Sequence, residues 1–273
     1  MAFVSYRAHM ILTRVLCVVA VAAVAAACSS APKAPPAGAE EPDKYLFEYG
    51  QTALEKERWF VAREFFRQLI DSYPQSPFRA DAKLGVGDAY LGEGSAESQI
   101  MAINEFKEFL TFFPTHERAD YAQFQLGMAH FNEMRSASRD QSETRDAIAE
   151  FTTFVERYPN SKLIGEARQK LREAKDRLSE HDFRVGLHYL RSRTSFPGAI
   201  DRFNTILKND PEYTHRDQVY YHMAQALVQI GQPAAAIPYL DKLIAEFEES
   251  EYLERAREQV AKLKADMEAL IKK

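Results

Sequence analysis

Few residues in this chain have the types and spacing that chemistry requires. The stretch GVGDAYLGEG, Gly85 to Gly94, has the glycine density of a phosphate-cradling loop. No strand precedes it, however, and Gly87 has a place in a packing pattern described below, so a nucleotide site is not expected there. The seven histidines show no HExxH spacing and have no cysteine partners; His181 and His188 lie two turns apart on one helix and are expected at the surface or the core edge, not as metal ligands. Carboxylates are numerous on helix surfaces, but nothing sets apart an acid–base pair. The expectation is a protein that is not an enzyme and holds no metal. Two features remain: a cysteine that ends an apolar leader, and a strip of large apolar side chains on recurring helices.

The leader occupies residues 1–27. It carries Arg7 and Arg14, no acid, and the apolar run VLCVVAVAAVAAA from Val15 to Ala27. A membrane-spanning helix needs about 20 apolar residues, so this shorter run reads as a secretory signal peptide. Met10 offers a second possible start. Cys28 directly follows Ala25, Ala26 and Ala27, which resembles the bacterial lipobox, although Ala25 stands where Leu is usual. That resemblance implies cleavage before Cys28, which would carry covalent diacylglyceryl and N-acyl lipid; a plain secreted protein cut near Ala27 is the other reading. Cys17 would leave with the leader, so the mature chain could form no internal disulfide. The loss of Arg7 and Arg14 leaves 33 basic against 40 acidic side chains, a net charge of −7. Nucleic acid is not expected as a partner. Next comes SSAPKAPPAGAEEP, Ser29 to Pro42, whose four prolines and small residues make an extended tether, about 40 Å long at ~3.1 Å per residue.

One frame recurs through the rest of the chain: Ala62, Phe66, Leu69, Pro74; Ala102, Phe106, Phe109, Pro114; Ala147, Phe151, Phe154, Pro159; and Ala199, Phe203, Ile206, Pro211. On a helix the first three share a face, and the proline stops the helix. Ser76 and Ser161 are expected to N-cap the helices that follow, with Pro77 at a first helical position. A fifth copy, Ala236, Leu240 and Leu243, has Glu248 in place of proline. Upstream of each copy lies a second helix centred on a small residue: Gly50, Gly87, Gly127, Gly186 or Ala224. The pattern is similar to the tetratricopeptide repeat, and implies an all-α, right-handed superhelical solenoid of five helix pairs. Enlarged loops are expected at GEGSAES, Gly92 to Ser98, and at MRSASRDQ, Met134 to Gln141. No breaker interrupts Lys162 to about Arg193, so one long helix should join the third pair to the fourth. A helix from Ser250 would cap the stack. The expected organisation is signal peptide 1–27, tether 28–42, repeats one to three over 43–160, long helix and repeats four and five over 161–249, and cap 250–273.

Lipobox, tether, Tyr-Pro and Phe-Pro closures, bridging helix and cap together resemble the BamD family, lipoproteins of the outer-membrane β-barrel assembly machinery. The resemblance implies a lipid anchor in the outer membrane facing the periplasm. It also implies a scaffold that meets unfolded barrel proteins with its early repeats and a BamA POTRA domain with its late ones, alongside other lipoproteins of the machinery. Arg202 matches the arginine this family pairs with a POTRA acid, a role suited to its planar two-pronged guanidinium. Helix geometry relative to the small residues directs Phe47, Gln51 and Leu54, then Leu84, Asp88 and Leu91, then Tyr121, Phe124, Met128 and Phe131 into the concave surface. As a trough, that strip would hold extended aromatic-rich peptides; packing between repeats is the competing account. Another repeat lipoprotein, such as a pilus-assembly pilotin or a cell-envelope coordination scaffold, and a murein-cleaving enzyme on a helical frame, are the alternative functions.

Overall fold

The computed structural model describes residue 35 and residues 40–271; the expected signal peptide, Cys28 and most of the expected tether lie outside the described residues. Eleven helices are present among them: α1 (Pro42–Glu55), α2 (Trp59–Ser72), α3 (Arg79–Glu93), α4 (Ala96–Phe112), α5 (Ala119–Asn132), α6 (Ser142–Arg157), α7 (Ile164–Ser192), α8 (Phe196–Asn209), α9 (Arg216–Gln229), α10 (Pro233–Glu246) and α11 (Leu253–Ile271). They pack as antiparallel tetratricopeptide-like pairs in two compact units, divided between Phe113 and Pro114. This differs from the division expected at 160/161. The cause is α7: its first half packs on α6 and its second half on α8, so the third pair belongs with the later ones.

The repeating frame is a ring-on-glycine contact. Phe66, Phe106, Phe151 and Phe203 are fully buried, and each lies over the small residue of its partner helix. A Cβ on Gly50 would come within 2.5 Å of Phe66, one on Gly87 within 2.7 Å of Phe106, one on Gly127 within 2.8 Å of Phe151 and one on Gly186 within 2.7 Å of Phe203. In the first unit Phe66 is clasped from its other edge by Gly85 of α3. In the fifth pair, Leu240 and Ala224 fill the corresponding positions and are fully buried.

The closing turns repeat as closely. Tyr73, Phe113, Tyr158 and Asp210, each preceding a proline, have φ of −125 to −139° and ψ of 51 to 70°. Each donates its N–H to the carbonyl four residues back, on Leu69, Phe109, Phe154 or Ile206. Phe247, followed by Glu248, adopts the same conformation (φ −132°, ψ 72°) and donates to Leu243. Proline therefore reinforces a stop that the packing already requires.

Ser76 and Ser161 are not N-caps: α3 begins at Arg79 and α7 at Ile164, and Pro77 lies in the preceding turn. Each serine accepts an N–H two residues on, from Phe78 or Leu163, both at 3.1 Å. Its hydroxyl donates to a carboxylate in the first turn of its own repeat. Ser161 binds Asp120 and Ser250 binds Asp217, both at 2.6 Å; the hydroxyl of Ser76 holds the Asp43 carboxyl below its usual pKa. A serine engaged in this clamp cannot also cap the helix.

The loop expected at Gly92 to Ser98 is reduced to Gly94 and Ser95. Gly94 takes a left-handed φ of 70°, and Ser95 caps α4 through the N–H of Ser98 at 3.1 Å, so the extra residues lengthen the two helices instead. The third loop, residues 133–141, is enlarged as expected. It is held to α7 by Arg177 donating to the Arg135 carbonyl (2.9 Å) and by His181 Nδ1 at 2.7 Å from the Ala137 carbonyl. The uninterrupted run gives the 29-residue α7, ~43 Å long. Ala256, Val260 and Leu263 of α11 are buried at the end of the second unit.

Candidate functional site

Counting from the small residue of each first helix sorts the expected trough residues by what they touch. Three positions before it the side chain belongs to the core. Leu84 is fully buried and Phe124 is 6% exposed, with Phe124 edge-on to Phe151 and Phe154 at 5.8 and 5.9 Å. Both are therefore removed from the solvent-facing strip. The equivalent Phe183 and Tyr221 are also buried, and Phe47, half-buried, stacks on Phe78 at 5.1 Å. The reason is geometric: this position faces the second helix of the pair, alongside the ring that covers the small residue. The signal was available in the recurrence of a large apolar residue there in all five repeats.

One and four residues after the small residue the pattern changes. Gln51 and Leu54, Asp88 and Leu91, Met128 and Phe131, Leu187 and Leu190, Gln225 and Val228 are all half-buried, so this register does present side chains to the surface. Phe47, Gln51 and Asp88 belong to the first unit; Tyr121, Met128 and Phe131 belong to the second. Tyr121 is covered by the Arg118 guanidinium at 4.6 Å and accepts a hydrogen bond from Gln125. Lys170 lies 4.6 Å above the ring of Phe131.

Arg202 sits on α8, whose buried face is Ala199, Phe203 and Ile206. Its side chain is 42% exposed and donates through Nη1 to Asp182 on α7 at 3.0 Å. It is thus already engaged by one carboxylate, through one prong of its fork.

A polar cluster around the fourth closing turn was not anticipated. Asp210, 6% exposed, is ion-paired with Arg172 and accepts from Ser179 at 2.7 Å. Thr214 binds Asp176 through both its N–H and its hydroxyl, and Tyr213 donates to Glu180 at 2.9 Å. Burial, then the Glu180 charge, pushes the Tyr213 phenol well above its ordinary pKa. The closing turn is thereby fastened to the middle of α7. Its only sequence signal was Asp210 standing where the other copies have an aromatic residue.

Among the described residues, His130, Glu143 and Asp146 bring three possible ligand atoms within 4.8 Å of one another. His130 Nδ1 already lies 2.8 Å from Glu143, a contact that pins α5 to α6. No helix among the described residues is long and apolar enough to cross a membrane.

The chain is 28% identical over 193 residues to the outer membrane protein assembly factor BamD of Caulobacter vibrioides, covering 70% of this chain and 62% of that relative. It is 28% identical over 200 residues to the BamD of Vibrio cholerae, covering 70% and 81%. Among solved structures, MamA aligns over 77% of this chain and 94% of its own, at 18% identity and a TM-score of 0.40. The family model described as YfiO, outer membrane lipoprotein, matches residues 39–238, more than half of the sequence, and the chain belongs to that family.

Proposed function

We propose that this protein is a lipid-anchored scaffold subunit of the outer-membrane β-barrel assembly complex, held to the periplasmic face through acylated Cys28 and without catalytic activity of its own. The observation that supports this best is the family match, which begins before α1 and runs into α10. In this reading Phe47, Gln51 and Asp88 in the first unit, and Tyr121, Met128 and Phe131 in the second, contact unfolded barrel proteins. Half-buried aromatic and Met side chains suit that task because they adapt to varied apolar partners. Arg202 binds a carboxylate of a BamA POTRA domain. That carboxylate must displace Asp182 or take the free prong of the guanidinium, so capture is an exchange of ion pairs rather than the burial of an empty cation.

The test is affinity purification of the tagged chain from detergent-solubilised envelopes. A large barrel protein with POTRA domains should copurify. Recovery of a pilus secretin instead, or of neither together with murein hydrolysis, would overturn the reading. Phe47→Ala with Phe131→Ala should reduce crosslinking to unfolded barrel proteins by several-fold while POTRA capture persists.

A further inference from the structure

The register that leaves side chains at the surface continues into the late repeats, where it builds a second cleft within the second unit. Leu187 and Leu190 on α7, Phe196 on α8, Gln225 and Val228 on α9, and Gln259 and Leu263 on α11 line a hollow of about 670 Å³. Its floor is apolar, through Leu187, Leu190, Phe196, Val228 and Leu263. Arg191, Arg193 and Lys262 stand around it, opposed by Asp266 alone. These three cations are exposed, and none has a carboxylate partner among the described residues, whereas Lys170, Arg172 and Arg184 of α7 are each paired with one.

Arg193 is informative in a second way. It ends α7 with φ 55° and ψ 23°, the left-handed conformation that glycine adopts without steric cost. Glycine at this position would therefore remove the charge without straining the turn.

We infer that this cleft binds an extended acidic segment of another protein, with carboxylates alternating with large apolar side chains. Apolar side chains would seat on the floor and carboxylates would meet Arg191 and Arg193 on one side and Lys262 on the other. The amides of Gln225, Gln229 and Gln259 line the same cleft; an amide is both donor and acceptor, which matches the peptide groups of an extended backbone and not an acyl chain. Crossing from α7 over α9 to α11 is two interhelix spacings of ~9 Å, or about six residues at ~3.3 Å each. His222 lies in the cleft wall with Nδ1 3.0 Å from Gln225 Oε1. Burial lowers its pKa most; the hydrogen bond with Gln225 opposes that, the charges of Arg191 and Arg255 lower it further, and the charge of Glu251 raises it. A carboxylate bound beside Arg191 should raise it. The inference does not depend on the assembly role proposed above.

Fluorescence anisotropy with the full chain in detergent tests this. The probe is a labelled hexapeptide alternating Leu and Glu, compared with versions carrying Lys for Glu or Ser for Leu. The Leu–Glu peptide should bind at least tenfold more tightly than either, lose affinity as salt rises, and raise the His222 pKa measured by NMR. Arg191→Glu with Lys262→Glu should weaken it at least tenfold and favour the Lys peptide. Should that variant not fold, Arg193→Gly removes one cation at a position whose backbone suits glycine, and should still weaken binding several-fold. Equal binding of acidic and basic peptides, no effect of Arg193→Gly, an unmoved His222, or displacement of the peptide by phosphatidylglycerol vesicles but not by phosphatidylcholine would overturn the inference.

Discussion

Phe66 shows how much of the architecture rests on single contacts. Its ring lies between Gly50 and Gly85 with no room on either edge, so a methyl group on Gly50 must displace it inside a close-packed core. Gly50→Ala should cost about 1–3 kcal/mol, read as a lower urea midpoint with an unchanged slope. The rings were legible because their spacing from the preceding Ala and the following Pro is invariant across four repeats, and the glycines, at varying distances upstream, because a small residue stands at the centre of each preceding helix. Leu84 and Phe124 were misread because a first helix packed by more than one neighbour is apolar on several faces, and its turn alone does not separate core from trough. Arg202 was legible as an exposed arginine, but Asp182, on another helix, could be paired with it only by the fold. The pairing gives a prediction with two signs. Arg202→Glu should weaken POTRA capture at least tenfold without loss of helicity. Asp182→Asn, which frees the guanidinium, should strengthen capture or leave it equal, measured by titrating purified POTRA domains. Weaker capture by Asp182→Asn would mean that the ion pair positions the arginine rather than competing for it.

At the scale of the element, the closing turn is the unit of construction. In the first and third copies it combines a stop before proline, a serine two residues later and a first-turn carboxylate, and the fifth keeps the serine and the carboxylate with Glu248 in place of proline. The proline was legible as punctuation. The serine was misassigned because capping and clamping use the same residue type, and only the carboxylate's position decides between them. The Asp43 carboxyl, its pKa lowered chiefly by the Ser76 hydroxyl, stabilises the fold above the unfolded carboxylate pKa of about 3.9, and that contribution is lost as pH falls through the lower folded value. Asp43→Asn should therefore narrow the difference in thermal midpoint between neutral and acidic solution. The fifth turn permits a gain. Phe247 already has the conformation of the residues preceding proline in the other four copies, and no backbone hydrogen bond from the Glu248 N–H is present among the described residues. Glu248→Pro should stabilise the protein by about 0.4–1 kcal/mol through the unfolded chain, and a lower thermal midpoint would show that the fifth turn differs from its relatives.

For the whole molecule, the sequence disclosed five pairs and a bridging helix, but it suggested a division at the start of that helix. The long helix instead serves two repeats, closing the third with Ala167 and Ala174 and opening the fourth with Phe183 and Gly186; a helix without breakers does not announce that its two halves have different partners. None of the described helices offers a membrane span, and the body carries an excess of acid, which gives no attraction to an anionic lipid surface. In the proposed reading, residence at a membrane comes from acyl chains at Cys28, from a membrane-bound partner, or from both. These are separable, because each buried CH₂ contributes about 0.8 kcal/mol and one chain alone anchors only marginally, whereas several chains anchor firmly. Cys28→Ala, exported by a leader that does not need the cysteine, should fold with unchanged helicity and thermal midpoint. It should still appear in the membrane fraction while its partners are present, held by Arg202 and the trough contacts. After a wash that strips protein partners, the wild-type chain should remain in the pellet and Cys28→Ala should move to the supernatant. Retention of the stripped variant would mean that the body binds membrane by itself, and the lipid at Cys28 would no longer be needed to explain where the protein resides.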